Sequence, residues 1–217
     1  MHKSINSLTT IEEQIKSRFN QSINPQIIAV SKTFQIEEIK PLIGHGHLHF
    51  GENKVQESVD KWSDIKNSTE NIKLHMIGKL QTNKVKYVIP LFDYIHSLDN
   101  LKLAEKISQE QIKKGKYLKL FIQVNIGNES QKNGIDPKDL KDFYNKCISD
   151  LKLNIIGLMC IPPQIGEAKV YFSQMLELKN SLGLKELSMG MSSDYLEAIE
   201  YGSTFVRIGS KIFGNRT

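Results

Sequence analysis

Eight short runs of apolar, largely β-branched residues, each followed by a longer polar or helix-like segment, constrain this chain more than any other feature. The runs are QIIAV, HLHF, KLHMI, DYIHS, YLKLFIQV, LNIIGL, ELSM and TFVRI. Segments of helical character fall between them at 36–43, 53–64, 100–114, 137–150, 168–182 and 194–201. A weaker one at 81–89 is expected to stop at Pro90. Strands that alternate with helices run parallel, because each crossover returns the chain to the same end of the sheet. Eight such units in 217 residues match the smallest (β/α)8 barrels, whereas an open doubly wound sheet carries fewer strands and a glycine-rich first turn. Neither G-x-G-x-x-G nor G-x-x-x-x-G-K-[ST] follows a strand here. The expected fold is α/β, a single TIM-type (β/α)8 barrel over residues 1–217. Ile5, Leu8, Ile11, Ile15 and Phe19 recur every three or four positions, so residues 1–24 are expected to add an N-terminal helix that packs on the barrel.

Composition excludes several function classes. With 39% hydrophobic residues the chain can bury a full core. No apolar run approaches the ~20 residues that span a bilayer, and Glu12 and Glu13 interrupt the first segment where a secretory signal would be apolar. A soluble cytoplasmic protein without membrane contact is expected. Cys147 and Cys160 are the two cysteines, too few for a disulfide framework or a zinc site, which suits a reducing compartment. The net charge is +5, but 29 basic and 24 acidic residues are interspersed. Without an aromatic-interleaved basic motif, no nucleic-acid binding is expected. HGHLH places His45, His47 and His49 at alternate positions, as a metal site might. No carboxylate or cysteine completes the set, so surface histidines and no metal are expected. Lys79, Lys84 and Lys86 read as a solvated helix face.

In a (β/α)8 barrel the working residues project from the C-terminal ends of the strands, where the βα loops converge. Lys32 follows the first strand. Asn53 follows the second, Gly78 the third, Asn125 the fifth and Met159 the sixth. Ser192 and Ser193 follow the seventh, and Arg207, Gly209 and Ser210 close the eighth. Loops after strands 7 and 8 often bind phosphate through backbone N–H groups and hydroxyls, although Ser-Ser-Asp before a helix also reads as an ordinary N-cap. A lysine, a phosphate loop and an arginine on one rim suit pyridoxal 5′-phosphate. Its aldehyde forms a Schiff base with a lysine, its phosphate needs donors, and its ring nitrogen needs a partner.

The motifs AVSKT, HFGENKVQE, HMIGKLQTNK, N-x-x-x-E-x-x-K-x-G in VNIGNESQKNG, GLMCIPP, LSMGMSSDYLEAI and GSTFVRIGSKIFG resemble those of the YggS/PROSC pyridoxal phosphate homeostasis proteins, from Ile27 to Gly214. The resemblance implies a barrel similar to the N-terminal domain of bacterial alanine racemase. It implies pyridoxal 5′-phosphate held covalently as an aldimine on Lys32, in intracellular vitamin B6 homeostasis without established catalysis. By motif, Asn53 would lie beside the cofactor and Met159 against its ring, while Ser192, Gly209 and Ser210 would hold the phosphate. Arg207 would face the pyridine nitrogen, with a phosphate contact as its rival role. His75, Ile77 and Met191 are added as cofactor neighbours by their proximity to these motifs. The expected partners are the cofactor and pyridoxal phosphate-dependent apoenzymes, and a monomer is expected. The competing reading is a pyridoxal phosphate-dependent amino-acid racemase. Racemases that resemble this barrel add a second domain whose tyrosine supplies the opposing base. Here the chain stops at Thr217, just after the eighth strand, so little or no racemase activity is expected.

Overall fold

Parallel strands that each return through a helix can close on themselves, and here they do. The computed structural model describes residues 2–19, 23–129, 133–163 and 166–214. Its strands are β1 Gln26–Val30, β2 His49–Glu52, β3 Lys73–Met76, β4 Tyr94–Leu98, β5 Lys119–Gln123, β6 Ile155–Met159, β7 Glu186–Ser188 and β8 Phe205–Ile208. They form one closed barrel in chain order. β8 pairs parallel to β1, with Ile28 opposite Arg207 and Ala29 opposite Ile208, so the last strand delivers its arginine beside the first. The expected barrel is the observed one.

The helices are α1 Lys3–Arg18, α2 Ile36–Gly44, α3 Val55–Ser68, α4 Val85–Leu91, α5 Leu101–Lys114, α6 Leu140–Asn145, α7 Ala168–Ser181, α8 Tyr195–Glu200 and α9 Ser210–Phe213. α5 shows how local sequence sets its ends. The Asn100 side chain accepts the Leu103 N–H as N-cap, and Gly115 stops the helix at φ 64°, a left-handed conformation that costs glycine little. α1 buries Leu8, Ile11 and Ile15 and packs on α2 and α9. At roughly 2 kcal/mol for each buried aliphatic side chain, that face fixes the helix firmly. The Tyr195 hydroxyl at the start of α8 donates to Gln14 of α1, so α1 braces the two short helices that border the upper mouth.

Three boundaries differ from the sequence expectation. HLHF reads as the second strand, but β2 begins at His49 and continues through Gly51 and Glu52. The backbone of α2 wraps further than its apolar pattern, with His47 N–H bonded to Leu42 C=O and Gly46 at φ 93°, which removes His47 and Leu48 from the strand. Pro90 does not end α4 but occupies its last turn. The closing bond, Phe92 N–H to Val88 C=O at 2.9 Å, does not need the missing proline N–H. The segment 137–150 forms α6 and then a wider turn over Lys146–Asp150. Among the described residues no helix is long and apolar enough to cross a membrane.

Candidate functional site

At the C-terminal ends of β1 and β8, and under the loop after β7, lies an open cleft of about 660 Å³. Eight of the ten residues singled out above line it: Lys32, Asn53, Ile77, Met191, Ser192, Arg207, Gly209 and Ser210. The other two, His75 and Met159, are fully buried below it. The lining also includes Ser193, Ile161 and Lys211, which lie within the quoted motifs, and Phe34, one position beyond AVSKT.

The backbone around Lys32 is held from behind. Thr33 sits at φ 70°, a left-handed conformation that costs a β-branched residue of order 1–2 kcal/mol. Its N–H donates to Glu57 Oε1 at 2.7 Å, a charge-assisted bond that offsets this strain. Burial alone would raise the Glu57 pKa, but the Thr33 N–H and the Lys61 ammonium outweigh it and leave the carboxyl below its usual value. Lys61 Nζ also donates to Ser31 C=O and to Glu52 Oε1, both at 3.0 Å. Glu52 is fully buried and accepts on the same oxygen from Ser31 Oγ at 2.7 Å and Trp62 Nε1 at 3.0 Å. Residues 31 and 33 are therefore both tied to α3, and the turn bearing Lys32 between them is fixed. Phe34 stacks on Phe213 of α9 at 4.7 Å, which joins this turn to the opposite wall. At Gly78 a Cβ would lie 2.3 Å from the Asn53 carbonyl. The loops after β2 and β3 cross at that point, and the crossing holds Asn53 at the rim.

On the other wall, Ser192 Oγ accepts long bonds from the N–H groups of Gly209 at 3.3 Å and Lys211 at 3.4 Å. Asp194 takes the N-cap position of α8 but makes no capping bond with its side chain; its carboxylate instead turns back to accept the Met191 N–H at 2.6 Å. Ser192 is thereby left to the cleft, where two amides and a hydroxyl meet beside Ser210 and Lys211. Arg207 reaches across the barrel. Its Nη1 donates to Ser188 C=O at 2.6 Å and Ser188 Oγ at 2.8 Å, and its Nη2 to Cys160 C=O at 2.9 Å. Burial lowers the Arg207 pKa, and Cys160 and Asp194 act against that shift. The Cys160 thiol is pushed up to about 12 by burial, so it is an inert neighbour rather than a nucleophile.

His75 stacks on Tyr94 at 4.2 Å and bonds His96 and His49. The residues that sequence reasoning missed are Ser188 and His96, polar side chains at inward positions of β7 and β4. Their signal was a serine and a histidine inside otherwise apolar strands. The surface assignment for HGHLH is corrected in part. His45 is exposed, whereas His47 and His49 are half-buried and engaged, His47 Nε2 with the His49 carbonyl and His49 with His75, both at 2.9 Å. No metal-binding cluster of histidine, cysteine or carboxylates occurs among the described residues. Lys84 and Lys86 lie over the ring of exposed Tyr87, away from the cleft. Asn125 and Glu129 of the spaced motif tie their loop to itself, and Lys132 lies outside the described residues.

The family described as alanine racemase, N-terminal domain, matches residues 7–217. The pyridoxal phosphate homeostasis protein of Aquifex aeolicus is 38% identical over 88% of this chain and 87% of its own. That of Vibrio cholerae is 39% identical over 88% of this chain and 85% of its own. The structure of PipY from Synechococcus elongatus PCC7942 with PLP bound superposes with a TM-score of 0.84 at 33% identity, covering 97% of this chain and all of that one.

Proposed function

Because this chain belongs to the family of pyridoxal phosphate homeostasis proteins, we propose that it holds pyridoxal 5′-phosphate in the cleft at the C-terminal end of the barrel, as a Schiff base with Lys32. The observation that carries the reading is the convergence of Lys32, Arg207 and the Ser192–Gly209–Ser210 loops on one cavity. The donor set fits the group. The backbone amides of Gly209 and Lys211 and the hydroxyls of Ser192 and Ser210 gather at one wall and suit a phosphate. Lys32 stands on a turn pinned from both sides. Ile77 and Met191 offer apolar surface to a ring. When bound, the cofactor supplies a reactive aldehyde, and this chain's residues orient it and keep it reversibly held.

Purified protein loaded with the cofactor should show a visible absorbance band that borohydride fixes, with peptide mapping placing the label on Lys32. Lys32→Ala should lose the band while keeping part of its affinity through the phosphate loops. A label on Lys79, Lys84 or Lys211 would overturn the assignment.

A racemase reading shares the fold, and racemases that work despite an arginine at the ring nitrogen have a second base from a further domain, so Arg207 weakens this chemistry without removing it. An arginine stays protonated, so at the ring nitrogen it disfavours the pyridinium form that accepts electrons best. Incubation with single-enantiomer amino acids in deuterium oxide should show little α-proton exchange. Exchange and racemisation on the order of 1 to 1,000 per second, lost in Lys32→Ala, would establish an enzyme instead.

A further inference from the structure

The groups that hold Arg207 end a longer polar chain through the interior of the barrel. From the lower mouth, His49 Nδ1 lies 2.9 Å from His75 Nε2, and His75 Nδ1 lies 2.9 Å from His96 Nε2. His96 Nδ1 then lies 2.8 Å from Ser188 Oγ, which Arg207 Nη1 also reaches at 2.8 Å. Four links thus join β2, β3, β4, β7 and β8. His75 and His96 are fully buried, and their rings are clamped by stacking, on Tyr94 and on Phe121, each at 4.2 Å.

Arginine can only donate, and that sets the direction of every link. Ser188 Oγ accepts from Arg207 and has no partner besides Arg207 and His96 among the described residues, so its proton has His96 Nδ1 as its acceptor. His96 is then the Nε2–H tautomer and donates to His75 Nδ1. His75 in turn donates from Nε2 to His49 Nδ1. Hydrogen positions are assigned from the network, and this is the assignment in which the Ser188 proton has an acceptor, with both inner rings neutral. Burial holds both well below the usual histidine range, with the neighbouring imidazoles and Lys66 acting the same way on His75 and Arg207 on His96. Around His49 stand His47, Lys73, Lys119 and Asp93, of which Asp93 alone favours a charged ring.

This chain differs from the usual way of placing a buried arginine, which is to pair it with a carboxylate. Arg207 has no carboxylate ion pair among the described residues; its partners are one hydroxyl and two backbone carbonyls. We infer that His75, His96 and Ser188 are positioning residues: a hydrogen-bond chain of fixed polarity aims the Arg207 guanidinium at the cleft while leaving its positive charge for an acceptor group of the bound ligand. The inference rests on the pyridoxal phosphate reading for the identity of that ligand, but not for the polarity of the chain.

The test joins two measurements on the full chain. Histidine 15N spectra of the cofactor-free protein should show His75 and His96 as neutral Nε2–H tautomers, unchanged from pH 6 to pH 8. Ser188→Ala removes the donor at His96 Nδ1, so the His96 signals should move toward a tautomer mixture. Pyridoxal phosphate should then bind on the order of tenfold more weakly, the scale of one hydrogen bond to a charged group. Ser188→Thr should restore both readouts. His96→Phe, which keeps the stack on Phe121 but breaks two links, should repeat the affinity loss and serves if Ser188→Ala does not fold. A charged or Nδ1–H His96 in the unaltered protein would overturn the polarity. Unchanged affinity in Ser188→Ala or His96→Phe would overturn the positioning role. Failure of the unaltered protein to bind pyridoxal phosphate at all would overturn the functional reading instead.

Discussion

The two faces of the barrel wall carry different chemistry. Outward, beneath the helices, the strands present Ile27, Leu74, Ile95, Ile122, Leu158 and Leu187, all in one apolar cluster. Inward, alternate residues form a small cluster of Ile28, Tyr94, Phe121, Met159 and Phe205, interleaved with the polar chain from His49 to Arg207. An outer face that meets helices needs volume and shape, which aliphatic side chains supply. An inner face that supports a binding site needs fixed directions, and hydrogen bonds supply those. Among the described residues the outer face carries one charged exception, Glu52, which turns toward α3 and is met there by Lys61 and Trp62.

That exception offers the largest expected effect. Lys61→Ala would leave the Glu52 carboxylate buried without its cation and would release Glu57 from Thr33 in part. Breaking a buried pair from one side costs about 3–5 kcal/mol, so urea unfolding should show a loss of that size. A loss under about 1 kcal/mol would mean that Glu52 is as replaceable as its aliphatic neighbours, and the contrast between the faces would lose its charged exception.

Next in size is discrimination at the upper end of the inner face. If Ser192, Gly209 and Lys211 meet a phosphate, pyridoxal without phosphate should bind roughly a hundredfold more weakly, about 3 kcal/mol, because charge-assisted hydrogen bonds are the strong kind. Equal affinity for the two vitamers, measured by titration, would exclude a phosphate at that wall.

The same contrast explains what could be read from the sequence. The outer face announces itself, since its aliphatic residues repeat within short runs, and seven of the eight strands lie close to where those runs place them. β2 is the exception because its last two residues, Gly51 and Glu52, look like loop. The rim was legible where a motif gathers several groups, as in Ser192 with Gly209 and Ser210. The inner chain was not, because His75, His96 and Ser188 are single polar residues in three strands distant in sequence. Nothing in DYIHS or ELSM says that its histidine or serine faces the other across a closed barrel. The role of Glu57 was hidden for a related reason, since only the left-handed turn at Thr33 gives its carboxylate a backbone amide to hold.

A conservative outer-face change should separate the faces further. Ile122 is fully buried in the outer cluster, and Ile122→Val removes one methylene at a cost of about 1 kcal/mol. Affinity for pyridoxal phosphate should not change. A parallel fall in affinity would show that the inner chain depends on outer packing.

The smallest effect is at the lower mouth, where the histidines stand between solvent and the inner chain. The His47 pKa is lowered to about 4, mainly by burial, with its bond to the His49 carbonyl opposing that shift and His45 adding to it. In the unfolded chain it titrates near 6.5. Between those values the unfolded state binds a proton that the folded state refuses, so this contribution is complete above about pH 6.5 and is lost as the pH falls toward 4. His49 has the same sign and also falls to about 4. From pH 7 to pH 6 one such group removes only about 0.7 kcal/mol. His47→Gln should therefore lose less stability than the unaltered protein over that interval by about the same amount, in urea unfolding at the two pH values. The comparison cancels the carboxylates and the inner histidines, which both proteins share. An identical pH dependence would mean that His47 charges freely in the folded state, and that the closed, neutral surroundings of the histidine chain begin at His49.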